Sequence, residues 1–137
     1  MAASARSLAI LVAEDNDINA LLARNLLTRL GHRPMMAADG GDAVAAYVAA
    51  RAAGAPFDRV LMDMHMPGMN GIEAACRIRA AERASGAEPT TILALTAEAL
   101  PERRDACLAA GIDGFLTKPL DRERLVAALA EPGRDAA

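Results

Sequence analysis

Five residues suited to charge chemistry stand at the ends of short apolar runs: Glu14, Asp15, Asp63, Thr96 and Lys118. Three are carboxylates, one is a hydroxyl and one is an amine. Of 15 basic residues, Lys118 is the single lysine and the others are arginines. Lysine is a compact point charge where arginine is a planar fork. Two unit charges about 5 Å apart repel by roughly 3 kcal/mol at an effective dielectric near 20. Three clustered carboxylates therefore need compensation by shared protons, by Lys118 or by a divalent cation. Such oxygen donors suit Mg2+, which keeps several waters and binds through one or two carboxylates plus phosphate. A carboxylate can be a nucleophile that forms an aspartyl-phosphate. With a cation, a lysine and a hydroxyl beside it, the parts needed for phosphoryl transfer are present. Each residue alone has a plainer reading. Asp63 could cap a helix or turn, Glu14 and Asp15 could cap a helix and favour its dipole, Thr96 could be an ordinary strand-end residue and Lys118 a solvated surface lysine. Their convergence carries the argument.

That convergence depends on the elements that hold them. Five apolar runs are expected to be strands: Leu8–Ala13, Pro34–Ala38, Phe57–Met62, Thr91–Leu95 and Gly114–Thr117. The first, third and fourth are nearly continuous, as strands buried on both faces of a parallel sheet are. Helices are expected over about 16–30, 42–53, 71–84, 101–110 and 121–130. Gly31, Gly54, Gly86, Gly111 and Gly133 follow them, where glycine accepts the left-handed turn that ends a helix. Asn70 and Asp121 suit N-caps, and Pro101 suits a first turn. Strands alternating with helices give right-handed βαβ units. Five of them predict an α/β fold of the flavodoxin-like, doubly wound type, with a five-stranded parallel sheet in the order 2-1-3-4-5. Ligands on such sheets bind at the carboxyl ends of the strands, where the five chemical residues fall.

The chain has 137 residues, 53% of them apolar and 24% charged. This predicts one globular domain over 1–137, with a core at about 8–130 and short frayed ends. No apolar run approaches the length of a membrane span. Leu8–Ala13 is too short for a signal peptide, so a cytoplasmic protein without membrane contact is expected. A net charge of −3 and 2% aromatics argue against nucleic-acid binding. Cys76 and Cys107 lack metal-ligand spacing, which fits free thiols in a reducing compartment. Met62, Met64, Met66 and Met69 suggest adaptable packing, and His32 an exposed turn.

The segments LVAEDN (11–16), LMDMHMPGMNG (61–71), ILALTA (92–97) and GFLTKPL (114–120) resemble, in order and spacing, those of a response-regulator receiver domain. The resemblance covers residues 8–130. It implies that Asp63 accepts a phosphoryl group, and that Asp15, Asp63 and the backbone carbonyl of His65 bind Mg2+, with Glu14 assisting through a metal-bound water. Thr96 and Lys118 would contact the phosphoryl group, and Phe115 would be an aromatic that swings inward on activation. Lys118-Pro119 would be a cis peptide, which an X-Pro bond permits at modest cost. The flavour is that of receivers in hybrid histidine kinases and phosphorelays. Such a module is not a turnover enzyme but catalyses its own phosphorylation and dephosphorylation. Its partner would be a histidine kinase or a histidine phosphotransfer protein, and the chain itself a monomer or weak dimer. The family often has Asp-Asp where this chain has Glu14-Asp15, and Tyr where it has Phe115.

A phosphatase of the haloacid dehalogenase type also uses an aspartyl nucleophile, but it needs Asp-x-Asp, and His65 stands two residues after Asp63. A flavodoxin-like FMN carrier needs a phosphate loop where Glu14–Asp17 is acidic. A pseudo-receiver interaction module would lack an active-site residue, and none is missing. On a helical wheel of residues 16–30 with Ile18 at 0°, Leu22, Leu26, Ala23 and Leu30 fall between about 40° and 140°, with Leu27 near 180°. That arc is the expected core stripe. Ile18, Leu21 and Asn25 lie off it and form the expected partner-docking surface beside the acidic strand end.

Overall fold

In the computed structural model, residues 7–66, 68–86, 89–96, 101–118 and 120–130 are described, with 101–104 and 130 by backbone alone. The elements alternate as β1 (Ala9–Ala13), α1 (Asp17–Arg29), β2 (Arg33–Ala37), α2 (Gly40–Ala52), β3 (Arg59–Asp63), α3 (Gly71–Ser85), β4 (Thr91–Thr96), α4 (Pro101–Ala109), β5 (Gly114–Thr117) and α5 (Arg122–Ala130). The strands are parallel and ordered β2-β1-β3-β4-β5. This is the flavodoxin-like order expected from the sequence. Among the described residues no helix is long and apolar enough to cross a membrane.

The sheet separates two apolar clusters. Leu11, Ala13, Val60, Met62, Ile92 and Ala94 point to one side, with Tyr47 of α2 and Ile78 of α3. Ile10, Val12, Leu61, Leu93 and Leu95 point to the other, with Ala23 and Leu27 of α1 and Leu125 and Leu129 of α5. Alternate residues of one strand thus feed opposite cores. For this reason the inner strands carry almost no polar residue before their ends.

Local chemistry sets the boundaries. Asn16, Asp39 and Asn70 cap α1, α2 and α3 by accepting from Asn19 N, Asp42 N and Glu73 N. Asp121 Oδ1 accepts from Arg124 N at 3.0 Å at the head of α5. Asp39 is the reason α2 begins at Gly40, before the expected start. Gly31, Gly54, Gly86 and Gly111 all take positive φ after their helices. Gly133, Pro119 and both ends of the chain lie outside the described residues.

Three expectations need correction. The third strand begins at Arg59, because Asp58 instead latches the head of β1: Asp58 N donates to Ala9 O at 2.7 Å, and Ala9 N donates to Asp58 Oδ2 at 2.8 Å. The core stripe of α1 lies further round the helix, on Ala23 and Leu27, and leaves Leu22 38% exposed. His32 is part-buried, and its Nδ1 accepts from Leu8 N at 3.1 Å.

Candidate active site

β1, β3 and β4 end together, and the short edge strand β5 is held in register beside them. Met64 N donates to Leu95 O at 3.1 Å, which carries the β3–β4 pairing past Asp63. Lys118 N donates to Thr96 O at 2.8 Å, which carries the β4–β5 pairing to the lysine. Glu14, Asp63 and Thr96 are buried, at 4%, 2% and 5% exposure, while Asp15 is exposed.

The lysine amine sits between two carboxylates. Lys118 Nζ is 2.9 Å from Asp63 Oδ2 and 3.1 Å from Glu14 Oε1. The other oxygen of Asp63, Oδ1, accepts from His65 N at 3.0 Å. Glu14 Oε2 accepts from Asn16 N at 3.2 Å. The acidic pair is therefore divided: Glu14 turns inward under Lys118, and Asp15 stays at the rim. The side chain of His65 is exposed, so its backbone holds Asp63 while its ring faces solvent.

Burial acts first on Glu14, Asp63 and Lys118. It raises the Glu14 carboxyl above its ordinary value, helped by hydrogen bonding to Asp63 and only partly opposed by Lys118. Burial also pushes Asp63 up, but its bonds to Glu14, the His65 amide and Lys118 outweigh this and hold it low. Burial lowers Lys118, and its two carboxylate partners more than restore it, leaving it raised. Of the two buried carboxyls, Asp63 is thus the one whose ionised form its neighbours favour, as suits a nucleophile.

Carboxylate oxygens of Glu14, Asp15 and Asp63 lie within 4.8 Å of one another. Hard oxygen donors with one exposed member fit a divalent cation that retains waters. The loop after Asp63 is close-packed. A Cβ on Gly71 would stand 2.6 Å from Asp63 O, so only glycine lets α3 start this near the strand end. Met64 and Met69 pack on the neighbouring core cluster, and Met62 and Met66 are buried in it.

A family model for the response regulator receiver domain matches residues 10–130. The chain belongs to this family. Among its relatives, the sensor histidine kinase AruS of Pseudomonas aeruginosa is 41% identical over 133 residues, 96% of this chain but 13% of that protein. The receiver domain of the sensor histidine kinase PA1611 from Pseudomonas aeruginosa, solved with a magnesium ion coordinated in its active-site cleft, is similar at TM-score 0.77 and 36% identity. The match covers 90% of this chain and 95% of that one. The receiver domain of Ssk1 from Saccharomyces cerevisiae, solved with the histidine phosphotransfer protein Ypd1, is similar at TM-score 0.78 and 28% identity over 87% and 83% of the two chains. The chain is a receiver domain of the kind that sensor histidine kinases and phosphorelay proteins carry. Membership sets aside the dehalogenase-type and FMN-carrier readings.

Of the remaining expected residues, Phe115 is half-buried on β5 against the α2–α3 cluster. On α1, Ile18 and Leu21 are 78% and 55% exposed, and Asn25 is exposed. One feature escaped sequence reasoning. At the opposite end of the sheet Arg79, Glu82, Tyr47, Thr90 and Asp113 form a buried polar network. Its only sequence signal is a pair of opposite charges three apart on α3.

Proposed function

We propose that this receiver takes a phosphoryl group from a partner's phosphohistidine onto Asp63 and later loses it by hydrolysis. The observation that carries the reading is Lys118 Nζ, held 2.9 Å from Asp63 Oδ2 and 3.1 Å from the buried Glu14. In the transfer an oxygen of Asp63 forms a bond to phosphorus as the bond from phosphorus to the donor imidazole nitrogen breaks. His65 N keeps the carboxylate oriented. Lys118, tethered by Glu14, stays beside the transferred group once Asp63 Oδ2 no longer pairs with it. The Thr96 hydroxyl, at the end of β4, donates to a phosphoryl oxygen. Asp15, Asp63 and the backbone carbonyl of His65 are the groups that would hold Mg2+, with Glu14 assisting through a water. Bound there, the ion supplies positive charge against the phosphoryl oxygens. Phe115, half-buried beside β4, is the side chain that would move inward once Thr96 is engaged.

The module is not a turnover enzyme, acts in the cytoplasm as a monomer or weak dimer, and meets a histidine kinase or histidine phosphotransfer protein. Exposed apolar Ile18 and Leu21, with Asn25, support α1 as the docking surface, because neighbouring exposed apolar side chains beside a site mark contact patches. The test is labelling by acetyl phosphate with Mg2+, followed by intact mass. Wild type gains one alkali-labile phosphoryl group and Asp63→Asn gains none. Equal labelling of both removes the assignment.

A further inference from the structure

The lysine of the site rides on the weakest strand. β5 has four residues, lies at the sheet edge and pairs with β4 alone. Its register sets Thr117 opposite Thr96 and so brings Lys118, the next residue, to Asp63 and Glu14. A one-residue slip would turn every side chain of the strand to the other face. The ladder with β4 and the bond from Lys118 N to Thr96 O hold that register from within the sheet, and so short a ladder gains from an anchor outside it.

The other end is clamped. Asp113, just before β5, and Ile92 of β4 bond in both directions. Asp113 N donates to Ile92 O at 2.8 Å, and Ile92 N donates to Asp113 Oδ2 at 2.9 Å. The same Oδ2 accepts from Arg79 Nη2 at 2.9 Å. Arg79 is buried, and each N–H of its guanidinium is used. Nε and Nη2 donate to Gly111 O at 3.0 and 2.7 Å, and Nη1 donates to Glu82 Oε1 at 2.8 Å and Thr90 O at 2.7 Å. A guanidinium has five N–H donors in a rigid fork, and lysine has three that rotate freely. Thus Arg79 joins the start of β4, the turn before β5 and the body of α3. Gly111 has room only for this arginine, since a Cβ there would meet the Arg79 side chain at 2.9 Å.

We propose that Arg79 and Asp113 are positioning residues for Lys118. They lock the β4–β5 register from the far end of the strand, about 16 Å away at roughly 3.3 Å per residue, and so deliver the amine to the phosphoryl site. This rests on the reading of Lys118 as a phosphoryl contact. The clamp and the lysine then act in series, so removing one should make the other redundant.

The experiment is a double-mutant cycle on the rate of labelling by acetyl phosphate with Mg2+, corrected for the folded fraction. Asp113→Ala, Lys118→Ala and the double variant are compared, with amide hydrogen exchange read along the sheet. Asp113→Asn is the milder variant should Asp113→Ala not fold. It keeps an acceptor for Ile92 N but loses the charge facing Arg79. Asp113→Ala is expected to slow labelling at least tenfold in the wild-type background and less than twofold in the Lys118→Ala background. Exchange protection should fall at Phe115–Lys118 while β1 and β3 keep theirs. Equal slowing in both backgrounds, or undiminished protection of β5, overturns the proposal. If Lys118→Ala alone labels like wild type, the reading of the lysine falls first and the clamp's role with it.

Discussion

Replacing Glu14 by Gln tests whether burial or ion pairing rules the site. The exchange keeps an acceptor for Asn16 N and removes one buried charge. It forfeits attraction to Lys118 at 3.1 Å, about 5 kcal/mol at an effective dielectric near 20. It relieves repulsion from Asp63 within 4.8 Å, about 3.5 kcal/mol on the same scale. It also relieves the desolvation of a carboxylate that is 4% exposed, which costs several kcal/mol for a buried ion. The balance favours the variant by about 1–2 kcal/mol in metal-free protein, or roughly 4–8 °C in Tm at this size. Because the Glu14 carboxyl is raised in the fold by burial, its ionised form is the costly one. The stability tied to it is present below its unfolded value and lost as pH rises through the folded one. The advantage of Gln should therefore be near zero at pH 4 and full at pH 8. Thermal unfolding in EDTA across that range measures it. With Mg2+ added, wild type should gain more than Glu14→Gln, since ligand stabilisation grows with affinity. A Gln variant less stable than wild type at pH 8 in EDTA would show that the Lys118 pair outweighs burial, and would refute the reasoning.

Lys118→Arg keeps the charge but not its shape. It should fold normally yet give a weaker donor-induced conformational change, followed by NMR at Phe115. Leu21→Asp should slow phosphotransfer from a histidine-bearing partner at least tenfold and leave acetyl phosphate labelling unchanged. A parallel fall in both would place the damage in the fold. Gly71→Ala forces a methyl against Asp63 O at 2.6 Å. It should cost about 1–3 kcal/mol, as overpacking does, and slow labelling as well, both read on the same samples.

The site was legible because it obeys a rule that leaves marks in the chain. Inner strands buried on both faces must be apolar, so the first polar residue after each run marks a strand end. Asp63 and Thr96 follow that rule, while Lys118, beyond the edge strand β5, stands out as the single lysine. β2 was the faintest strand because it is an edge: its residues alternate between exposed and partly covered, and Pro34 is tolerated there. The division of labour between Glu14 and Asp15 was not legible, because adjacent residues at a strand end diverge by side-chain direction. The α1 stripe was misplaced because four leucines share that helix, and only the packed neighbours decide which of them α5 and the sheet cover. The Arg79–Asp113 clamp was invisible for a different reason. Its partners are 34 residues apart, and arginine on an amphipathic helix ordinarily faces water.

The two apolar clusters on opposite faces of the sheet make this domain separable for an engineer. α1, with Ile18, Leu21 and Asn25, is founded on Ala23 and Leu27 in one cluster. Phe115 and Met64 rest on the other. The sheet backbone lies between them like a party wall. A library randomised at Ile18, Leu21, Leu22 and Asn25 changes exposed positions of α1 and leaves Ala23 and Leu27 in place. Partner choice can then be varied by selection on binding, while Phe115 and Met64 keep their footing on the far side of the sheet.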